Sequence, residues 1–250
     1  MKQPYNPCAF YGAASAISQT LNMPRWFQRQ VLGRWIDRGI TMFLLGLTLT
    51  VLAESDLDKM SLLAKQRYGA SGAKTVQQWR SLIDQTRTLP DNEKIKRINT
   101  FFNQQIAFRD DQELWGQADY WATPLETMGR AAGDCEDFTI AKYATLKLLG
   151  IPIERMRLIY VRAQIGGPHS SMNQAHMVLG YYPKPGDEPL ILDNLVTDIY
   201  PASNRSDLTP IFSFNSEGLW VGQSRTSSAA TARLSRWRGV LERMQQDGLE

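Results

Sequence analysis

The spacing of apolar residues changes part-way along the chain, and this change limits the folds that the chain can adopt. From Leu57 to Phe108, apolar side chains recur at three- and four-residue steps, which is typical of amphipathic helices. After Pro152 the period becomes two, in the stretches Met156 to Ala163, Ala175 to Tyr182 and Leu190 to Leu195. Helices followed by strands with turn residues between them predict an α+β fold with an antiparallel sheet.

Capping and turn residues predict where the helices begin and end. Leu89-Pro90-Asp91 separates two helices, with Asp91 as the N-cap of the second. The stretch from Asp110 to Arg130 is rich in Trp, Gly and Pro and predicts a loop with short turns. A further helix is expected from Asp134 to Leu149, ended by a glycine and a proline. Thr231 to Met244 predicts a terminal helix that is docked on the domain or partly frayed, with membrane binding as the alternative.

The first 53 residues have the pattern of an export signal. Basic residues, the last of them Arg38, precede an apolar run from Ile40 to Ala53, and acidic residues begin at Glu54. The run is shorter than the roughly 20 residues that a spanning helix needs, so it fits a signal peptide cleaved after Ala53. An uncleaved anchor or a buried short helix is the alternative. We predict a presequence over residues 1–53 and one exported domain over residues 54–250.

Most of the excess positive charge lies in this predicted presequence. The whole chain has a formal net charge of +3. The presequence holds Asp37 as its acidic residue and these basic residues: Lys2, Arg25, Arg29, Arg34 and Arg38. The remaining chain is therefore close to neutral, and nucleic-acid binding has no electrostatic support.

Cys135 is the cysteine that remains once the presequence, which contains Cys8, is removed. No disulfide within the exported chain is then possible, and a single thiol in an oxidising compartment requires a reason. Cys135 lies at the predicted start of a helix, where unpaired amides and the helix dipole favour a thiolate. A buried, inert cysteine is the alternative to a nucleophile.

A catalytic thiol needs a base, and the chain has 2 histidines. His169 lies in a loop of Gly, Pro and Ser, which predicts a solvated ring, whereas His176 opens a strand. If the strands on either side of the Pro183 to Asp187 turn pair with residue 176 opposite residue 193, His176 and Asp193 share one face. Asp193 would then orient the imidazole and leave its other nitrogen for the thiol, as in papain-like sites. Without such a partner, a core histidine is the simpler interpretation.

Three acidic residues, Asp134, Glu136 and Asp137, flank Cys135. Asp134 as the N-cap, with the other two in the first turn, would improve helix initiation. Adjacent carboxylates also raise the pKa of a thiol and oppose its activation. Ca²⁺ would offset their charge because it binds carboxylate and carbonyl oxygens, although three acids do not complete its shell. Helix capping alone is the alternative to a calcium site.

Several blocks of the sequence are similar to those of a known family. They are Trp121-Ala122-Thr123-Pro124-Leu125-Glu126, Gly133-Asp134-Cys135-Glu136-Asp137-Phe138, Ala141-Lys142-Tyr143, Leu149-Gly150-Ile151-Pro152, Ala175-His176-Met177-Val178 and Leu192-Asp193-Asn194. Over roughly residues 55 to 220 the chain resembles the bacterial transglutaminase-like cysteine proteases.

The resemblance implies a papain/transglutaminase-like fold, in which the cysteine begins a helix packed on the sheet that carries the His and Asp. It implies a triad of Cys135, His176 and Asp193. It also implies calcium bound by the flanking acids, chiefly Asp134 and Glu136. The resemblance further implies a periplasmic protease whose substrate is the N-terminal region of a large surface adhesin, cut at paired alanines. It also implies inhibition by the periplasmic domain of an inner-membrane cyclic-di-GMP receptor until the nucleotide falls, after which adhesin release would disperse the biofilm.

Two other functions share parts of this pattern. A thiol site of the same kind can run a transamidation or hydrolyse peptidoglycan amides, because all these reactions share a thioester intermediate. A calcium-binding adaptor with a degenerate site is the second, which the complete Cys-His-Asp set disfavours. Trp115 and Trp121 are candidates for the receptor-binding surface, with core packing as the alternative.

Overall fold

The computed structural model describes residues 25–167, 169–221, 224–226 and 235–249, with side chains from residue 56 onward except in 224–226. The chain divides into two compact units, Met1–Val51 and Leu52–Glu250. Within the described ranges, no helix has both the length and the apolar character that crossing a membrane requires. The predicted presequence begins outside the described residues, and its cleavage stays a prediction.

The helices fall mainly in the first part of the domain, with one at its C-terminal end. The first helix has a break at Gly69, where φ is 68°. In the described residues the α-helices are α1 Arg25–Thr86, α2 Asp91–Gln105, α3 Asp111–Trp115, α4 Pro124–Arg130, α5 Cys135–Leu148 and α6 Ser235–Asp247. Short 3-10 turns cover Ile153–Arg155 and Ala202–Asn204.

The strands form one small parallel pair and one larger antiparallel sheet. The pair consists of β1 Ala107–Phe108 and β2 Ala132–Gly133. The larger sheet contains β3 Met156–Gln164, β4 Asn173–Tyr181, β5 Leu190–Leu192, β6 Tyr200–Pro201, β7 Leu208–Phe214, β8 Leu219–Val221 and β9 Ser224–Thr226. Its strand order is β6-β5-β4-β3-β7-β8-β9, and every neighbouring pair is antiparallel. The predicted α+β fold is confirmed.

One face of the sheet packs against the helices and forms the main core. Side chains from helices and strands, such as Phe102, Ile140 and Leu158, are fully buried in it. The alternate residues of β3 and β4, such as Ile159, point to the opposite face, as the pleat requires. Trp237 of α6 is also buried in the main core. The predicted docking of the terminal helix is thus confirmed for its described part, while residues 231–234 lie outside the described residues.

Two predicted boundaries are wrong, each for a local reason. Pro90 occupies the N-cap of α2, so Asp91 is the first helical residue, and its carboxylate binds Arg155 at 2.9 Å instead. The predicted loop from Asp110 to Arg130 contains α3 and α4. Helix α4 begins with a capping box, in which the Glu126 amide donates to the Thr123 hydroxyl at 3.2 Å and the Thr123 amide donates to the Glu126 carboxylate at 2.7 Å.

Candidate active site

Cys135 is the first residue of α5, as the sequence predicts. Strand β2 leads directly into this helix through Asp134, which occupies the N-cap position. The backbone amide of Asp134 donates to Oδ2 of Asp137 at 3.4 Å. The thiol therefore lies at the end of the helix where unpaired amides and the positive end of the helix dipole favour an anion.

His176 of β4 and Asp193, just after β5, form a buried pair. Nε2 of His176 lies 2.8 Å from Oδ1 of Asp193, and each residue is 1% exposed. The expected strand register is wrong, because β5 pairs with β4 so that Leu192 lies opposite Leu179. Residue 193 would thus continue opposite residue 178, a shift of two positions. A shift of two keeps both side chains on one face, which is why the predicted pair still forms.

The packing of α5 on β4 brings Cys135 to the strand position beside His176. The hydroxyl of Thr139 lies 2.8 Å from the carbonyl oxygen of Cys135 and 3.0 Å from that of Met177. The backbone of Met177 also forms a hydrogen bond with the Cys135 thiol. Asp193 contacts Nε2 of His176, so Nδ1 is the ring nitrogen that does not face Asp193. His169, by contrast, is exposed, as predicted.

The carboxylate of Asp193 is held by several donors. Burial raises its pKa, but hydrogen bonds from His176, the Leu195 amide and Arg205 outweigh burial and lower the pKa to about 2. Asp193 is therefore ionised at neutral pH. The sequence reasoning missed Arg205, because no motif singles it out.

A second buried charged group lies near this pair. Burial lowers the pKa of Lys142 to about 7, and the charge of Asp193 partly opposes this shift.

The acidic residues around the thiol form two overlapping groups. Ligand atoms of Asp111, Asp134 and Asp137 lie within 4.8 Å of one another, and so do those of Asp134, Cys135 and Glu136. Among the described residues, Oδ1 of Asp111 and Oδ1 of Asp134 are buried and have no hydrogen-bond partner. Asp111, the first residue of α3, was missed by the sequence reasoning because it is far from the cysteine in sequence.

The electrostatics of this cluster oppose ionisation of the thiol when no cation is bound. Burial, and then the charge of Glu136, raise the pKa of Cys135, whose thiol donates to Oε2 of Glu136 at 2.7 Å. Burial and the neighbouring carboxylates raise the pKa of Asp134 to about 9. Burial likewise raises the pKa of Asp137 to about 8. Clustered carboxylate oxygens, two of them without partners, are a donor set that suits a hard divalent cation.

Comparison with known families now adds to this geometry. Residues 68–221 match the family model of the bacterial transglutaminase-like cysteine proteinases. The chain belongs to this family. It is therefore a cysteine protease by family, and the resemblance seen in the sequence is confirmed. Comparison with curated proteins finds no match.

Solved structures of Legionella pneumophila LapG are similar to this chain over most of its length. One is 38% identical with a TM-score of 0.64, and covers 75% of this chain and 97% of LapG. The calcium-bound form is 39% identical with a TM-score of 0.64, and covers 75% and 98%. The EGTA-treated form is 38% identical with a TM-score of 0.65, and covers 75% and 97%. The transglutaminase-like fold that the sequence predicts is thus confirmed.

In this family member, the last helix braces the segment beside the acidic cluster. The backbone amide of Ala122 donates to Oδ1 of Asp137 at 2.7 Å. Arg243 of α6 donates to the carbonyl oxygen of Trp121. The indole of Trp121 is 8% exposed and stacks on Phe214 at 5.8 Å, so core packing explains this residue. The candidate surface role of Trp121 is therefore wrong.

Gly133 makes room for Asp137, and an alanine there is expected to weaken Ca²⁺ binding by about 10- to 100-fold. A Cβ atom at residue 133 would lie 2.7 Å from both Cβ and Oδ2 of Asp137. Calorimetric titration of metal-stripped Gly133→Ala with Ca²⁺ measures the effect. Gly239→Ala is the matched control, because its Cβ would meet nothing closer than 3.7 Å. Equal affinities in the two variants would contradict this account.

Proposed function

We propose that the protein is a calcium-dependent cysteine endopeptidase of the periplasm. Its substrate is the N-terminal region of a large cell-surface adhesin, which it cuts to disperse the biofilm. The observation that carries the proposal is the buried His176–Asp193 pair, at 2.8 Å, whose histidine lies on the strand that packs against α5, the helix that begins at Cys135. Membership of a cysteine protease family supports it.

The triad supplies the chemistry of peptide hydrolysis. Nδ1 of His176 takes the proton of the Cys135 thiol, and the thiolate attacks the scissile carbonyl carbon. The backbone amide of Cys135 donates to the developing oxyanion. His176 then gives its proton to the leaving amine, while Asp193 holds the ring through Nε2. Water, activated by the same ring, hydrolyses the thioester and restores the thiol.

The residues that would hold calcium are Asp134, Glu136 and Asp137, joined by Asp111. Their oxygens are clustered, and two of them are buried without hydrogen-bond partners in the described residues. A bound Ca²⁺ would neutralise the negative charge of these carboxylates and so favour ionisation of the Cys135 thiol. LapG of Legionella pneumophila, which is similar to this chain, has been solved in calcium-bound and EGTA-treated forms.

The regulatory partner in this proposal is the periplasmic domain of an inner-membrane cyclic-di-GMP receptor. The receptor holds the protease inactive and releases it when the nucleotide falls. The similarity to LapG supports the proposal. Trp115, which is half-buried against Tyr120 and Arg130, stays a candidate for the receptor surface.

The test uses N-terminal adhesin fragments with a paired-alanine site and matched fragments in which both alanines are aspartates. The purified chain is expected to cut the first fragment once, in Ca²⁺ and not in EGTA, and to leave the second intact. Added receptor domain should suppress the cut. Mass spectrometry of the products locates the bond. If the chain incorporated an added amine without net hydrolysis, the transamidase alternative would replace the proposal. If it cleaved peptidoglycan amides and no adhesin fragment, the amidase alternative would replace it.

A further inference from the structure

We propose that Arg205 is a positioning residue of this site and that it restricts the third member of the triad to a carboxylate. Its guanidinium fixes one oxygen of Asp193 so that the other faces His176. The inference rests on the proposed catalytic roles of His176 and Asp193.

Arg205 is buried, with 5% of its surface exposed, directly after the Ala202–Asn204 turn. Its Nη2 donates to Oδ2 of Asp193 at 2.8 Å. The same side chain binds Asp207 with two donors, Nε to Oδ1 at 2.9 Å and Nη2 to Oδ2 at 2.8 Å. A planar guanidinium held by two bonds has a fixed direction. Asp207 therefore orients Arg205, and Arg205 orients Asp193.

The side-chain contacts of Asp193 all come from donors. Oδ1 accepts from the ring of His176 at 2.8 Å and from the Leu195 amide at 3.0 Å. Oδ2 accepts from Arg205. A carboxylate satisfies this pattern because both of its oxygens are acceptors.

An asparagine at position 193 would not satisfy the pattern. Its NH₂ group must face either Arg205 or the Leu195 amide beside the ring of His176, so a donor meets a donor in a buried place. Residue types alone suggest that an amide can replace Asp193, as in papain-like sites. The contact with Arg205 predicts the opposite: an asparagine at position 193 should impair the site while Arg205 is present, and should be tolerated better once Arg205 is replaced.

The experiment compares the wild type with Asp193→Asn, Arg205→Met and the double variant, by kcat/KM on the cleaved fragment. We expect losses of about 1000-fold for Asp193→Asn and about 10- to 100-fold for Arg205→Met. The double variant should be at least about 10-fold more active than Asp193→Asn alone, which is a positive coupling. If the loss of kcat/KM in the double variant equalled the product of the two single losses, the proposal would be overturned.

A second measurement does not depend on substrate or on full activity. With 2 histidines in the chain, ¹⁵N spectra of the rings are simple, and His169→Gln assigns the signal of His176. In a Cys135→Ala background, at a pH where the ring is neutral, His176 should carry its proton on Nε2. Arg205→Met should reduce this tautomer, and Arg205→Lys should restore part of it, because an ammonium still donates to Oδ2.

An unchanged tautomer in Arg205→Met, with the protein folded by circular dichroism, would also overturn the proposal. If Arg205→Met does not fold, Asp207→Asn gives the comparison with a smaller loss of packing, because it weakens the contacts that orient the guanidinium of Arg205. A wild type that cuts no adhesin fragment would refute the proposed function, while the ring spectra would still decide the role of Arg205.

Discussion

Cys135→Ala protein is expected to cut no adhesin fragment, and Cys135→Ser protein to lose at least about 1000-fold in kcat/KM. In the proposed triad, His176 ionises a thiol at the start of α5, whereas a serine hydroxyl has a far higher pKa and stays protonated in the same place. Gel assays of the paired-alanine fragment, with Ca²⁺ present, measure the loss.

The control is His169→Ala, which removes the exposed histidine and should leave cleavage unchanged. Urea unfolding of each variant separates a catalytic effect from a folding effect. Cleavage by Cys135→Ala protein free of contaminating protease would remove the nucleophile assignment. Loss of cleavage in His169→Ala would instead give the role of base to His169.

Metal-stripped protein is expected to become less stable as the pH rises, and Ca²⁺ to abolish this trend. Burial and neighbouring charge raise the pKa of Asp134 to about 9 and that of Asp137 to about 8, from 3.8. Above pH 3.8 the unfolded chain loses these protons while the folded chain keeps them. Their contribution to stability is therefore full below that pH, and it is lost as the pH rises to the folded values.

The free energy of unfolding of the metal-free protein should fall by roughly 1 kcal/mol per pH unit for each group. Urea titrations at about pH 5 and about pH 8, in EGTA, Mg²⁺ or Ca²⁺, measure the trend. Mg²⁺ should restore less stability and less cleavage than Ca²⁺, because its small octahedral shell fits such a cluster poorly.

Asp134→Asn provides the matched variant for this prediction. It removes one buried carboxyl, so the metal-free variant should depend less on pH than the metal-free wild type. It should also bind Ca²⁺ more weakly and gain less stability from it. If EGTA changed neither cleavage nor the pH trend, the acids would be explained by helix capping alone.

Local signals in the sequence predict much of this fold. The three-to-four periodicity locates α2, the glycine and proline that follow α5 locate its end, and the period of two locates β3 and β4. The cysteine at the start of α5 follows from Asp134 and the first-turn acids, which are local helix signals. The capping-box residues Thr123 and Glu126 were also visible in the sequence, but the Trp and Gly residues nearby favoured a loop, so α4 was not predicted.

The parts of the site that could not be predicted depend on contacts between distant segments. The His176–Asp193 pair was predicted with the wrong register, and it survives because a shift of two keeps the face. Asp111 and Arg205 join the site through tertiary packing of α3 and of the segment after β6. No spacing rule connects either residue to Cys135 or His176, so each required the structure.

The contacts that support the acidic cluster depend on a residue near the C-terminal end of α6. Asp247, near the end of α6, accepts from Arg67 of α1 at 2.7 Å and from the hydroxyl of Thr123 at 2.7 Å. Thr123 follows Ala122, whose amide holds Asp137. Cys135, His176 and Asp193 are therefore synthesised well before Asp247, so a growing chain carries the proposed triad before the contact of Asp247 with Thr123 can form.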